Sequence, residues 1–149
     1  MKQFDLERFI KAQESDYETA LKEIRQGHKR SHWIWYIFPQ IAGLGFSSIS
    51  RYYAVASLEE AKAYMENAYL RQHLLEISDA LLALESKDPG QVMGYPDDLK
   101  LRSSMTLFAE AAPGEPIFQA ILDKYFGGKK DQRTLDILTA MGHLQPRIP

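Results

Sequence analysis

Apolar residues recur with helical spacing from the start of the chain. Tyr17, Ala20, Leu21 and Ile24 stand at i, i+3, i+4 and i+7, which is one stripe of an amphipathic helix. Leu6, Phe9 and Ile10 make a shorter version upstream. Asp5 and Asp16 occupy positions where a carboxylate could accept from the orphan N–H groups of a helix start. Gly27 suits a C-terminal stop. The pattern predicts helix over roughly residues 5–13 and 16–26, as two helices or one bent one.

Further along, Ser57-Leu58-Glu59-Glu60 has the form of a capping box and opens a run of good helix formers through Glu66. Leu70, Leu74, Ile77, Leu81 and Leu84 follow at spacings of three and four, with Leu75 and Leu82 widening the stripe. Lys87-Asp88-Pro89-Gly90 reads as a stop and turn. Pro96-Asp97-Asp98 opens a helical stretch towards Ala112, which Pro113-Gly114 closes. Pro116 suits the first position of a helix carrying Ile117, Phe118, Ile121, Leu122 and Tyr125, and Gly127-Gly128 breaks it. Asp131 can cap a last helix with Leu135, Leu138 and Met141.

Only Trp33-Ile34-Trp35-Tyr36-Ile37-Phe38 resembles a strand in length, and periodicity alone does not decide such a run. A lone strand would lack a partner, which favours helix ending before Pro39. The expected architecture is therefore all-α: one domain over residues 1–149, with about six to eight helices and no significant sheet.

Composition narrows the class. The chain has 149 residues, 45% of them hydrophobic, enough to build a core without a metal or disulfide. Lysine and arginine number 18 against 20 acidic residues, a net charge of −2, which disfavours duplex nucleic acid as a partner. The absence of cysteine removes disulfides, cysteine zinc sites, iron–sulfur clusters and thiol catalysis. No signal-peptide core or apolar run of membrane-spanning length is present, so the expectation is a cytoplasmic protein with no membrane association.

Residues 28–53, HKRSHWIWYIFPQIAGLGFSSISRYY, depart from this ordinary pattern by holding both tryptophans, two histidines and several cations. A second unusual stretch places Ser103, Ser104 and Thr106 inside a helical segment, although such hydroxyls compete for backbone partners. The segments Gly27-His28-Lys29, Ser31-His32-Trp33-Ile34-Trp35-Tyr36, Phe38-Pro39-Gln40, Gly43-Leu44-Gly45, Asp98-x-Lys100-Leu101-x-Ser103-Ser104-Met105-Thr106-Leu107-Phe108 and Asp131-x-x-Thr134-Leu135 resemble the hallmarks of a family of uncharacterised bacterial and fungal proteins. That family is a domain of unknown function sometimes mislabelled calpastatin. The resemblance spans nearly the whole chain and implies an all-helical domain without an established activity. The calpastatin label carries no weight, because an inhibitor of that kind is expected to be disordered, whereas this composition builds a core.

Each unusual residue has a plain structural reading beside a functional one. Trp33 and Trp35 suit core packing, or the wall of a pocket for a planar ligand. His32 suits a hydrogen-bonded structural role or proton transfer. His28, His73 and His143 complete the histidines, and no His-x-x-x-His or His-Glu-x-x-His spacing suggests a metal site. Asp98 could serve as a general acid or base or as a helix cap. Lys29 and Lys100 are surface charges or anion contacts. A fresh helix start near Ser103 would gather free N–H groups with the three hydroxyls around a phosphate or carboxylate. Gly43-x-Gly45 lacks the third glycine and βα context of a dinucleotide fingerprint, and no cofactor is implied.

Two functions follow. In the first, Lys29, Trp33, Trp35, Gln40, Lys100, Ser103, Ser104 and Thr106 bind a small anionic or nucleotide-like molecule. Were there turnover, His32 or Asp98 would handle the proton in hydrolysis or transfer at a glycosidic or phosphate ester bond. In the second, the aromatic segment 32–53, which includes Arg51, Tyr52 and Tyr53, is a non-catalytic protein-interaction module. The first requires the tryptophan segment and the hydroxyl segment to face each other across a solvent-reachable hollow.

Overall fold

A computed structural model describes residues 4–142. Its helices are α1 (Glu7–Arg25), α2 (Ile34–Ile37), α3 (Ser48–Tyr52), α4 (Leu58–Glu66), α5 (Ala68–Ala83), α6 (Pro89–Met93), α7 (Asp97–Ala111), α8 (Ile117–Phe126) and α9 (Gln132–Ala140). The fold is all-α, and the only β-type pairing among the described residues is an isolated parallel bridge between Ile41 and Val55. His143, named among the histidines above, lies outside the described residues.

The helix count exceeds the expected range because short helices carry little periodicity. α3 buries no residue, so it has no apolar stripe to read. α6 begins at a motif read as a turn: Asp88 accepts from Gly90 N–H and Gln91 N–H, and Pro89 occupies the first turn. At the other extreme, α1 is continuous. Asp16 lies inside it and accepts from the Tyr36 hydroxyl instead of capping a second helix. Asn67 separates α4 from α5, its side chain accepting from Leu70 N–H at 3.1 Å.

The start of α1 also departs from expectation, its N-cap being Leu6 with no side-chain cap and Asp5 standing one place before it. Several other boundaries follow the expected chemistry. Ser57 accepts from Glu60 N–H at 3.2 Å, while the Glu60 carboxylate reaches past the helix start to Ala56 N–H at 2.7 Å. Gly127 (φ 62°) and Gly128 (φ 78°) end α8 in the left-handed region that favours glycine. Asp131 caps α9.

α7 is the central element, packing against α2, α4, α6, α8 and α9, while α5 lies against α1, α4 and α8. The core draws buried side chains from every described helix except α3, with Trp33, Tyr64, Phe9, Phe38, Phe108 and Phe118 the largest fully buried ones. Burying each such aliphatic or aromatic side chain favours folding by about 1.5–3 kcal/mol. Lys124 seals the end of α5 by donating to the carbonyls of Leu81, Leu82 and Leu84, satisfying acceptors a helix end leaves orphaned.

Candidate functional site

Between Trp33 and Tyr53 the chain forms a lobe clipped at its base. Ala42 N–H donates to the Val55 carbonyl and Val55 N–H to the Gln40 carbonyl, each at 2.8 Å. Glycine is needed at two points in this lobe. Gly43 has φ 104°, and a Cβ at Gly45 would lie 2.8 Å from the Ser50 hydroxyl oxygen, so only a bare backbone packs against α3 there.

This lobe stands over one face of α7 and the start of α9, leaving a cavity of about 370 Å³. Its lining includes Trp35 from α2, Gln40 from the clip, Arg51 from α3, Lys100 and Ser103 from α7, and Arg133 from α9. Ser50, Tyr53, Pro96 and Asp131 line it too. The tryptophan-bearing and hydroxyl-bearing segments thus do share a hollow, through part of each.

Lys100 holds a charge constrained from two sides. Its ammonium sits 4.0 Å from the centroid of the Trp35 ring, a cation–π geometry, and 3.2 Å from Oδ1 of Asp97. The other oxygen of Asp97 is 2.6 Å from the Lys29 ammonium, whose side chain is only 5% exposed. Lys29 is further fixed by its own N–H, which donates to the Val92 carbonyl at 2.7 Å. It therefore ties the segment after α1 to the start of α7 from behind the cavity wall.

Asp131 is positioned equally closely. Arg102 holds the carbonyls of Lys129 and Lys130 at 2.8 and 2.9 Å, and Thr106 Oγ1 accepts from Asp131 N–H at 2.8 Å. Oδ2 of Asp131 accepts from Ser103 Oγ at 3.0 Å, Thr134 Oγ1 at 2.6 Å and Thr134 N–H at 3.2 Å. Oδ1 accepts no hydrogen bond from another described residue, nor do the side chains of Gln40, Arg51 and Arg133 pair with one.

Of the predicted ligand-binding residues, the cavity takes Trp35, Gln40, Lys100 and Ser103 and leaves Lys29, Trp33, Ser104 and Thr106 outside its lining. No fresh helix starts near Ser103, the condition on which an anion site at the hydroxyls depended; the stretch opening at Pro96-Asp97-Asp98 is one helix. α7 runs unbroken through the hydroxyl cluster, and Ser103 and Thr106 also donate back to the Leu99 and Arg102 carbonyls, so no orphan N–H groups gather at that point. Ser104 is fully buried, with no hydrogen-bond partner for its hydroxyl.

Trp33 is interior as well. Its indole N–H donates to Oε1 of Glu23, which also accepts from Arg30 N–H and Ser31 N–H, while Oε2 accepts from Ser31 Oγ at 2.6 Å. Burial pushes this carboxyl up, but the four hydrogen bonds outweigh it and hold it down at about 2. Neither residue proposed for proton transfer lines the cavity. His32 is exposed, and Asp98 Oδ1 accepts from Leu99 N–H at 2.9 Å at the first turn of α7.

Sequence reasoning left Arg133 unnoticed, considered Arg51 and Tyr53 only for an interface, and read Asp131 as a cap and as part of the family's hallmark segments without placing it in the site. The signal for Arg133 is weak, since a charge two places beyond a cap is commonplace. Among the described residues no group of three or more histidines, cysteines or carboxylates could hold a metal ion, and no helix is long and apolar enough to cross a membrane.

Residues 3–138 match the family described as "Protein of unknown function (DUF1810)". The chain belongs to this family. Among solved structures it is similar to the conserved hypothetical protein Rv1873 from Mycobacterium tuberculosis, at 44% identity and a TM-score of 0.89, over 91% of this chain and 97% of that one. No curated protein matches the chain. The resemblance seen in the Gly27–Gln40 and Asp98–Phe108 segments thus extends to the whole helical fold.

Proposed function

We propose that this protein binds a small anionic or nucleotide-like molecule in the cavity between the 33–53 lobe and the α7–α9 face. The observation that carries the reading is the convergence of Arg51, Lys100 and Arg133 on one hollow, in a chain whose net charge is −2. Neither arginine has an ion-pair partner among the described residues. Guanidinium groups suit phosphate and carboxylate oxygens. The volume falls within the range of about 300–1,000 Å³ usual for ligand pockets.

The geometry supports binding more than turnover, since His32 and Asp98 stand apart from the cavity. A thermal-shift screen of the full chain with phosphate-, nucleotide- and carboxylate-bearing compounds tests this reading. A ligand at 100 times its Kd should stabilise the protein by about 2.7 kcal/mol, and Lys100→Ala should weaken that response. No shift with any anion would overturn the proposal.

A second reading, docking of another protein, draws on a different observation. Phe46 is 78% and Tyr52 59% exposed, with Ile49 exposed beside them on the same lobe, and aromatic side chains often anchor interfaces. The buried Trp33, Tyr36 and Phe38 take no part in it. Co-purification of a partner that Phe46→Ser releases, without any anion response, would favour this reading over the first.

A further inference from the structure

We infer that the cavity is built for a phosphate monoester of a polyhydroxyl compound, with the dianionic phosphate at the cationic wall and a hydroxyl donating to Asp131. The inference rests on the anion-binding reading above and specifies its ligand class.

Charge comes first. Lys29 lies nearer Asp97 than Lys100 does, at 2.6 against 3.2 Å, so the Asp97 carboxylate is already answered from behind. The wall then presents three cations, Arg51, Lys100 and Arg133, against the single carboxylate of Asp131, leaving two positive charges. A phosphate monoester carries about two negative charges at neutral pH. A monocarboxylate or a sulfate ester carries one. The three cations come from α3, α7 and α9, an approach from separate elements that suits a tetrahedral group with several acceptor oxygens.

The carboxylate specifies the remainder of the ligand. An anion alone would be repelled by Asp131, yet Ser103, Thr106, Thr134 and Arg102 all contribute to holding that residue in the wall. Its occupied oxygen is Oδ2, and Oδ1 is left to accept a hydrogen bond. The unengaged carboxamide of Gln40, also in the wall, can both donate and accept, which matches a hydroxyl. The Trp35 ring already carries the Lys100 ammonium on one face, so aromatic stacking is not the principal demand here. A volume near the lower end of the usual pocket range admits a sugar phosphate more readily than a dinucleotide.

Titration calorimetry of the full chain with glucose 6-phosphate, glucose 6-sulfate, glucose and inorganic phosphate tests the assignment at pH 7.5. Glucose 6-phosphate should bind at least about tenfold more tightly than the sulfate ester, which has the same shape and one charge fewer. Free glucose should bind more weakly still. Arg133→Ala should weaken glucose 6-phosphate at least about tenfold. Asp131→Asn, which retains a capping side chain, should weaken glucose 6-phosphate several-fold while leaving inorganic phosphate unchanged or tighter. Equal affinity for the two esters, or equal loss of both phosphate ligands in Asp131→Asn, overturns this inference and leaves general anion binding standing. If none of these probes binds but another anion shifts the melting temperature, the polyol phosphate assignment alone fails. Silence from every anion removes both.

Discussion

The indole N–H of Trp33 donates to Oε1 of Glu23 at 2.9 Å, and this bond closes a buried knot in which one carboxylate gathers four donors from residues 30–33. The knot fixes the exit from α1 and so the placement of the lobe that roofs the cavity. Glu23→Ala should lower stability by about 1–3 kcal/mol, the cost of leaving the buried Trp33 indole N–H unpaired, the Arg30 and Ser31 donors being nearer water. Chemical denaturation measures the loss, and a change below about 1 kcal/mol would contradict the assigned role.

The same carboxylate sets an acid limit. Because its hydrogen-bonded form holds the pKa at about 2, its stabilising contribution is complete above the unfolded value of about 4.3. It fades as pH falls from there towards 2. Urea titrations between pH 5 and 2.5 should show a decline that Glu23→Gln makes shallower.

A second and separate pH window belongs to His73. Its ring stacks on Tyr17 with centroids 3.6 Å apart, and its Nδ1 lies 2.9 Å from Gln13 Oε1. Gln13 Nε2 in turn donates to Tyr64 Oη and the Tyr36 carbonyl. Burial pulls the imidazole below its ordinary range, against the opposing charge of Glu76. The unfolded chain therefore takes up this proton first, and stability drops as pH falls below about 6.5. His73→Phe should be less stable overall, because Gln13 Oε1 loses its donor, yet flatter between pH 7.5 and 5.

The hydroxyls of α7 separate by partner. Thr106→Val removes the acceptor for Asp131 N–H and should cost about 1–3 kcal/mol. Ser104→Ala removes a hydroxyl that is buried without a partner and should be neutral or stabilising, because a desolvated unpaired polar group is unfavourable. Paired melting curves check both, and a larger loss in Ser104→Ala would show that its hydroxyl is satisfied in solution.

The two lysines on Asp97 should likewise part company. Lys29→Met leaves Asp97 without its nearer, buried cation and should destabilise by about 1–3 kcal/mol. Lys100→Ala should change stability by less than about 1 kcal/mol, the range of a partly exposed pair, while weakening the response to phosphate-bearing ligands.

Elements with a wide apolar stripe or a capping side chain were legible in the residues, as α1, α4, α5, α8 and α9 show. α3 was not, because it buries nothing, and α6 was not, because Asp-Pro-Gly serves equally as a turn and as a helix start. The candidate site was legible by half. Trp35, Gln40, Lys100 and Ser103 share the cavity wall, whereas their neighbours Trp33, Ser104 and Thr106 point elsewhere around the same helical segments.

By itself the sequence determined an all-helical chain, most of its stops and starts, and the two stretches whose chemistry is unusual, because periodicity and capping are local properties. Which tryptophan became core and which became wall was decided only by tertiary packing. The same packing turned Ser103 and Thr106 of α7 towards Asp131 and brought Arg51 and Arg133 to the hollow. The reason is rotational: neighbouring residues on a helix diverge by about 100°, so their roles depend on what distant segments pack against each face.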